Sequence, residues 1–503
     1  MFDDTIAAIA TPLGEGGLAV IRLSGSRAFV VADKSFLPIG KSPVKPSAAS
    51  THTIHYGRIV RDGRLIDEVL LSVMRAPSTF TRENTVEITC HGGILAAKSV
   101  LDVLLENGAR LAEPGEFTKR AFLNGRIDLT QAEAVMDLIH ARTELSLAAA
   151  TEQLAGKLSQ RINQLRDDMM KTLAHIEAHI DFPDEDISPD TRSQLLSRLE
   201  LGVTFMDELL RTANEGQILR RGIRAAIIGR PNAGKSSLLN QLLGHDRAIV
   251  SPIPGTTRDT IEETADIRGL PVVFVDTAGL REAGDVIEEE GVRRSHATVA
   301  KAELILHVFD AAEPFTAEDQ RFLVQFSHKK RIVVRNKIDL PVKLMLPAGV
   351  VEGASVHEAK RPLTLSLSPG GGEADPRVGE GNRADAADAG LDTVPTPGSA
   401  VVDVCSLTGQ GIEALKDAIR NMVWAGEIKA EMLQVMINSR HQDALRRARE
   451  ATARTIEALR NDLTLELVAI DLRIAVNAIG EIVGRTTTED LLDSIFSQFC
   501  IGK

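Results

Sequence analysis

An apolar run, Ile223–Ile228, leads directly into Gly229-Arg230-Pro231-Asn232-Ala233-Gly234-Lys235-Ser236-Ser237, and no other stretch restricts the fold of this chain as tightly. The pattern G-x-x-x-x-G-K-[ST], with a strand before it and a helix after it, is a phosphate cradle. Backbone N–H groups and the helix N-terminus point at phosphates, Lys235 reaches the β/γ oxygens, and the Ser236 hydroxyl ligates Mg²⁺. Such a unit belongs to a parallel sheet flanked by helices. Strand-like runs at 272–275, 304–309, 332–334 and 401–404, alternating with helical segments, predict that sheet.

Three further motifs fall at the ends of these runs. Asp276-Thr277-Ala278-Gly279 follows 272–275; there an Asp holds Mg²⁺ through water and a Gly amide meets a γ-phosphate. Asn336-Lys337-Ile338-Asp339 follows 332–334. The Asp339 carboxylate can accept from the guanine N1–H and exocyclic amine, a donor pair that adenine lacks, so the expected nucleotide is GTP. Between the phosphate cradle and Asp276, Gly255-Thr256-Thr257-Arg258-Asp259 is placed as a switch whose Thr257 meets Mg²⁺ only with a γ-phosphate present. Cys405-Ser406-Leu407 stands where a fifth guanine motif is expected, to act through backbone contacts. Directly after the Asp-x-x-Gly motif comes Leu280, where many small GTPases carry a water-orienting Gln. Asp285, Glu288, Glu289 and Glu290 are alternatives for that role, and a solvated acidic loop is an equal reading of each.

At 503 residues the chain exceeds a single core and suggests about three domains. Its net charge of −12 argues against a general nucleic-acid coat and leaves room for a local basic face. Three cysteines, Cys90, Cys405 and Cys500, form no C-x-x-C pair, so neither a disulfide framework nor a zinc site is expected. The N-terminus lacks a signal-peptide pattern and no run of 18 apolar residues occurs, which predicts a cytoplasmic protein without a membrane anchor.

Residues 1–120 read as a compact α+β domain, with strands at 18–23, 68–74 and 85–89 and a helix at 94–105. From Leu129 the pattern becomes helical; Leu154, Leu158, Ile162, Leu165, Met169, Leu173, Ile176 and Ile180 form the stripe of one long amphipathic helix ending at Asp181-Phe182-Pro183. Residues 427–503 return to helix, with Arg440, Arg446, Arg447, Arg449, Arg454 and Arg460 as either a solvated face or an RNA phosphate contact. The simplest architecture is multidomain: an α+β domain (1–120), an all-α domain in two parts (121–217 and 427–503), and an α/β nucleotide domain (218–426) inserted into the latter. Residues 343–400, rich in Pro, Gly, Ala and Asp, read as a disordered surface insertion between two strands.

With these motifs the chain resembles the MnmE (TrmE) family of tRNA-modification GTPases. Besides the three GTPase motifs, the likeness is carried by Pro-Gly-Glu-Phe-Thr-Lys-Arg-Ala-Phe-Leu-Asn at 114–124, Asp-Leu-Thr-Gln-Ala-Glu-Ala at 128–134, Asp-Phe-Pro-Asp-Glu-Asp at 181–186 and Phe-Cys-Ile-Gly-Lys at 499–503. The resemblance implies a folate-binding-like N-terminal domain, a helical domain and an inserted Ras-like P-loop domain. It further implies a homodimer whose G domains pair across GTP, with K⁺ compensating charge where other GTPases use an arginine finger. On this reading Asn232, Ser251, Ile253 and Thr256 hold K⁺, Ser236 and Thr257 hold Mg²⁺, and Glu288 orients the attacking water beside Lys235. The GTP-binding set becomes Asn232, Ala233, Gly234, Lys235, Ser236 and Ser237; Ser251, Pro252, Ile253, Pro254, Gly255, Thr256 and Thr257; Asp276, Thr277, Ala278 and Gly279; Asn336, Lys337 and Asp339; Cys405, Ser406 and Leu407. Arg22, Glu87, Arg126 and Lys503 match positions that hold a 5-formyl- or 5,10-methylene-tetrahydrofolate. Arg126 replaces the more usual Lys, and Phe80-Thr81-Arg82-Glu83-Asn84 replaces a loop that usually reads Thr-Gly-Glu-Asp. Cys500 is either a participant in the modification chemistry or an ordinary free thiol.

The function so implied is K⁺-activated GTP hydrolysis that, with an MnmG-like flavoprotein carrying the FAD, adds an aminomethyl-type group at carbon 5 of the wobble uridine of certain tRNAs. Such a complex is a heterotetramer or larger. Two rivals remain at this stage, a GTPase switch in ribosome assembly and a self-contained folate transferase regulated by GTP.

Overall fold

The computed structural model describes residues 3–181, 189–244, 262–275, 302–327, 329–347, 399–424 and 433–502. Two compact units emerge, one of residues up to Arg221 together with those from Ile428, the other from the intervening chain beginning at Gly222.

The first unit opens with β1 (Thr5–Ile9), β2 (Gly16–Gly25), α1 (Ala28–Ser35), β3 (Phe36–Pro38), β4 (Thr53–Arg61), β5 (Arg64–Met74), β6 (Thr85–Gly92), α2 (Ile94–Glu106), β7 (Arg110–Leu111) and α3 (Glu116–Leu123). The strands form one sheet in the order β3-β4-β5-β6-β2-β1-β7, antiparallel except for the β1–β7 pair. Side chains alternate across a strand. Ile21, Leu23, Ile59, Leu71 and Ile88 are buried in a core shared with α1 and α2, whereas the register partners Tyr56 and Leu70 are exposed. At one end of the sheet the fully buried guanidinium of Arg120 meets Asp4, Glu83 and Glu116 at 2.6, 3.2 and 2.9 Å.

Helices α4 (Leu129–His140), α5 (Glu144–Leu154), α6 (Lys157–Asp181), α7 (Pro189–Arg211) and α8 (Ala213–Arg221) follow. Asp128 starts α4 with a reciprocal cap: its carboxylate accepts from the Gln131 N–H, and the Gln131 side chain accepts from the Asp128 N–H. The expected single helix is two. Leu154 closes α5, and the rest of the stripe lies on α6, because the chain turns at Ala155–Gly156 with Gly156 at φ +83°. Buried Leu158, Ile162, Leu165, Met169 and Ile176 follow the predicted spacing, and α6 stops at Asp181.

In the second unit β8 (Ile223–Ile228), α9 (Lys235–Leu243), β9 (Glu263–Ile267), β10 (Leu270–Phe274), β11 (Leu304–Asp310), α10 (Ala317–Gln325), β12 (Lys330–Asn336), β13 (Ser399–Asp403) and α11 (Ile412–Val423) build a sheet in the order β13-β12-β11-β8-β10-β9. It is parallel except at the β9–β10 edge, which is an antiparallel hairpin. The five expected strands pair in parallel, and β9 is an additional edge strand that the sequence pattern did not indicate. Glu263-Thr264-Ala265-Asp266-Ile267 lacks the continuous apolar run of a parallel strand, so its pairing was not visible in the sequence. The insertion expected at 343–400 is also narrower at both ends. Lys343 and Leu344 donate their N–H groups to Ala311 O at 2.8 and 3.1 Å. Leu344 is buried with Phe309, Leu323, Val333 and Val401, and Ser399 already belongs to β13. Residues 348–398 lie outside the described residues.

The chain returns to the first unit as α12 (Ser439–Arg460), α13 (Leu465–Val483) and α14 (Glu489–Phe496). The first two cover the apolar faces of α6 and α7, where Leu199 and Met206 join Leu445, Ala448, Leu472 and Ile479 in one core, and α14 packs on α4. The arginines of α12 are largely paired, Arg447 with Glu481, Arg449 with Asp207, Arg454 with Asp471 and Arg460 with Glu200. Their positive charge is therefore offset within the unit by exposed ion pairs.

Arg440 and His441 turn inward instead, to Glu133 of α4, at 2.8 Å each. His441 Nδ1 accepts from the Asn438 N–H, so the neutral ring carries its proton on Nε2, facing the carboxylate. Stripping Glu133 of its partners would strand a buried charge, a loss of about 3–5 kcal/mol. Burial outweighs the Glu133 charge and pushes the His441 pKa from 6.5 down to about 4. Between those values the unfolded chain binds a proton that the native state refuses, so stability falls as pH drops from 6.5 to about 4. Urea unfolding midpoints measured across this range should show that loss, and His441→Gln should lessen it, the remainder coming from His307, which burial holds at about 3.

Candidate nucleotide and one-carbon sites

The described nucleotide motifs converge at the carboxyl ends of parallel strands: 229–234 after β8, Asn336 at the end of β12, and Cys405 after β13. Ligands of open α/β sheets bind at this edge. Val275 donates to Ala225 O at 3.1 Å, so β10 runs beside β8 up to the residue before Asp276. Asp276, Thr277, Ala278, Gly279, Leu280 and Glu288, and the switch residues Ser251, Pro252, Ile253, Pro254, Gly255, Thr256 and Thr257, lie outside the described residues.

Asn336 joins three of the motifs. Its Nδ2 donates to Ala233 O at 2.8 Å, while its Oδ1 accepts from the Ser406 backbone N–H at 3.0 Å and the Ser406 hydroxyl at 2.9 Å. This buried amide is therefore satisfied on both ends, and one side chain sets the spacing between phosphate loop and base-reading segments. Gly234 has φ +91°, and a Cβ there would lie 2.1 Å from Asn336 Nδ2, so the tie itself demands glycine. Gln241 of α9 adds a bond to Ser406 O at 3.0 Å.

The fifth segment uses side chains as well as backbone. Buried Cys405 donates its S–H to Asp339 Oδ1 at 3.2 Å, which restrains that carboxylate. Leu407, by contrast, is 84% exposed. Lys337 pairs with Asp310 at 2.6 Å, a partner that no sequence motif announced. Lys235 donates from Nζ to the carbonyls of Gly229 and Arg230 at 2.9 and 2.8 Å. Burial holds its pKa below that of an ordinary lysine, a cost that an anion beside it would offset. Ser236 and Ser237 begin α9 directly after it, and Asn232 sits exposed at the loop's turn with φ +60°.

In the N-terminal sheet, Arg22 and Glu87 are register partners on β2 and β6, joined by two bonds of 2.8 Å to Glu87 Oε1. Arg126 joins them through an aromatic ring: its guanidinium lies 4.8 Å from the centre of Phe80, and that of Arg22 lies 6.0 Å from the same centre. The loop that departs from the family pattern keeps this arrangement. Arg82 takes φ +58° at the position usually read as Gly and donates to Asn124 O at 3.0 Å. Thr81 bonds Ser24 at 2.7 Å, and Glu83 binds buried Arg120. Phe80 and Arg120 were not singled out by sequence reasoning, although Arg120 lies inside the quoted 114–124 motif.

The carboxyl tail docks on this domain. Ile501 bridges to Pro114, and the Gly115 N–H reaches Cys500 O at 3.4 Å. Gly502, at φ +96°, sits so close that a Cβ would lie 2.5 Å from Ile9 O. Ile9 neighbours Ala8, the register partner of Arg22. Lys503 lies outside the described residues, and the Cys500 side chain is exposed, whereas burial raises the Cys90 thiol to about 11. No described helix is long and apolar enough to cross a membrane. Two outcomes are expected. Asp339→Asn should weaken GTP binding by about a hundredfold in a fluorescent-nucleotide titration and favour xanthosine triphosphate, because one of the two acceptors offered to the base has been exchanged for a donor. Gly502→Val should lift the tail and speed amide hydrogen exchange at 499–502.

Two family descriptions match: the MnmE helical domain over residues 129–500 and the GTP-binding protein TrmE N-terminus over residues 5–126. The tRNA modification GTPase MnmE of Geobacillus kaustophilus is 44% identical over 504 residues, covering 99% of both chains. That of Bacillus velezensis is 44% identical, covering 99% of this chain and all of its own. Among solved structures, an Era variant from Aquifex aeolicus bound to GDP and aluminium fluoride is 26% identical over 45% of this chain and 66% of its own, with a TM-score of 0.25. With identity of this level running from end to end, the chain belongs to the MnmE family of tRNA modification GTPases.

Proposed function

We propose that this protein is a GTP hydrolase that acts in tRNA modification, and that the modified base is the wobble uridine, which receives an aminomethyl or carboxymethylaminomethyl group at carbon 5. The observation that carries the nucleotide half is the Asn336 tie, which holds a phosphate loop and a guanine-reading Asp339 in one rigid frame. Preorganised groups of this kind need little rearrangement when charge develops on the phosphates. Mg²⁺ would be held by Ser236 and Thr257 and would neutralise charge on the nucleotide phosphates. K⁺ would rest on Asn232, Ser251, Ile253 and Thr256, spreading transition-state charge where Leu280 leaves no glutamine, while Glu288 orients the water.

A one-carbon tetrahydrofolate fits the other site by chemistry. Glu87 offers acceptors to the pterin N–H and amino donors, while Arg22, Arg126 and Lys503 offer cations to carboxyl and carbonyl oxygens. The convergence of Arg22, Glu87 and Arg126 around Phe80, with the tail ending near β1, supports this reading. A second copy of the chain would cover the exposed sheet face at Tyr56 and Leu70 and bring two G domains together across the nucleotide. An MnmG-like flavoprotein would supply the FAD, and the complex would work in the cytoplasm on tRNA.

Deleting the gene and analysing tRNA nucleosides by mass spectrometry should show loss of the wobble uridine modification; an unchanged profile would favour a GTPase switch in ribosome assembly. GTP turnover should be at least about tenfold faster in KCl than in NaCl, and Asn232→Ala should erase that difference. Equal rates for the unaltered protein would remove the K⁺ role.

A further inference from the structure

Glu133 and Asp137 lie one turn apart on α4, a spacing that puts both on one helix face. Each holds a different connection of the inserted nucleotide unit. Asp137 binds Arg220 at 2.8 Å, in the last turn of α8, where the chain leaves for that unit. Glu133 binds Arg440 and His441, at the start of α12, where the chain has come back. The two connections also touch directly: the Thr212 hydroxyl donates to Val435 O at 3.2 Å. Glu133, Asp137, Arg220 and Arg440 border one cavity of about 370 Å³, whose wall includes Ile495 and Phe499.

The other end of α4 leads to the one-carbon site. Leu129 opens the helix three residues after Arg126, and Leu129 and Ala132 pack on Phe496 and Phe499. Beyond Phe499 the chain becomes the docked tail at Cys500 to Gly502. We propose that Glu133 and Asp137 are positioning residues through which the two connections of the nucleotide unit set the placement of Arg126 and the carboxyl tail. The proposal rests on the folate reading above only for the identity of the ligand.

Glu133 is buried and Asp137 half-buried, and parting either carboxylate from its cation forfeits the attraction of the pair, so α4 follows either connection when it moves. The two pairs are unequal. Burial holds the Asp137 carboxyl above its ordinary range despite Arg220, whereas Arg440 and His441 hold Glu133 well below its own. The Asp137 and Arg220 side chains are also 15% and 25% exposed, against 9% for Glu133 and 0% for His441, so water reaches the Asp137 pair and Glu133 is the firmer anchor. This assigns a task to the 128–134 motif: Asp128 caps the helix and Glu133 anchors it.

The test uses the full-length protein in K⁺ buffer. Affinity for 5-formyl-tetrahydrofolate is measured with and without Mg²⁺ and a non-hydrolysable GTP analogue, alongside hydrogen exchange at 499–502. The unaltered protein should show a shift in folate affinity of about fivefold or more and altered exchange at the tail. Asp137→Asn should bind each ligand alone within about twofold of normal and lose both responses, and Asp137→Glu should restore them. Arg220→Gln, at a partly exposed position that leaves Glu133 and its partners intact, should lose them too. Persistence of both responses in Asp137→Asn and Arg220→Gln would overturn the proposal, as would their absence from the unaltered protein. If 5-formyl-tetrahydrofolate does not bind at all, the folate reading fails, and the exchange measurement still decides whether α4 couples the two regions.

Discussion

The helical part of this protein depends on an ionic contact between residues 307 positions apart, Glu133 and Arg440. The nucleotide unit separates α4–α8 from α12–α14, so the bundle core cannot form until the chain has come back. An apolar stripe alone specifies that α12 and α13 cover α6 and α7, but stripes of similar residues tolerate a slip of one turn. A buried carboxylate that must meet both a guanidinium and an imidazole tolerates none. Register and closure of the bundle therefore rest on a polar contact that contributes specificity beyond what hydrophobic burial supplies.

The nucleotide unit solves a related problem with a neutral group. Asn336 reaches Ala233 O with one end of its amide and Ser406 with the other, at distances of 2.8 to 3.0 Å. The 229–234 loop and the segments at Asn336 and Cys405 follow three strands of one sheet, and the amide makes their separation a fixed length. The close approach at Gly234 is part of the same joint, because any side chain there would push Asn336 away. Cys405 behind Asp339 extends the frame to the base-reading carboxylate.

In the N-terminal sheet the corresponding element is the Arg120 guanidinium, surrounded by Asp4, Glu83 and Glu116. It anchors the loop that presents Phe80 between Arg22 and Arg126. That is why the loop can depart from its usual sequence without dislodging Glu87: the anchoring residues Thr81 and Glu83 are retained, and only the exposed Arg82 accepts a left-handed backbone.

By itself the sequence determined the units and their chemistry. Patterns of period two and 3.6 placed most strands and the stripe of α6, and the local motifs pointed to a GTP-binding unit, because a phosphate loop is built largely from neighbouring residues. Tertiary structure decided the joints: Asn336 with Ala233 and Ser406, Arg22 and Arg126 through Phe80, Glu133 with Arg440, and Gly502 against Ile9. The antiparallel β9 edge, the break at Gly156 and the packing of Leu344 were decided there as well. The reason is physical. A buried polar group or a left-handed glycine is defined by what the fold brings against it from far along the chain, and local periodicity carries no record of that partner.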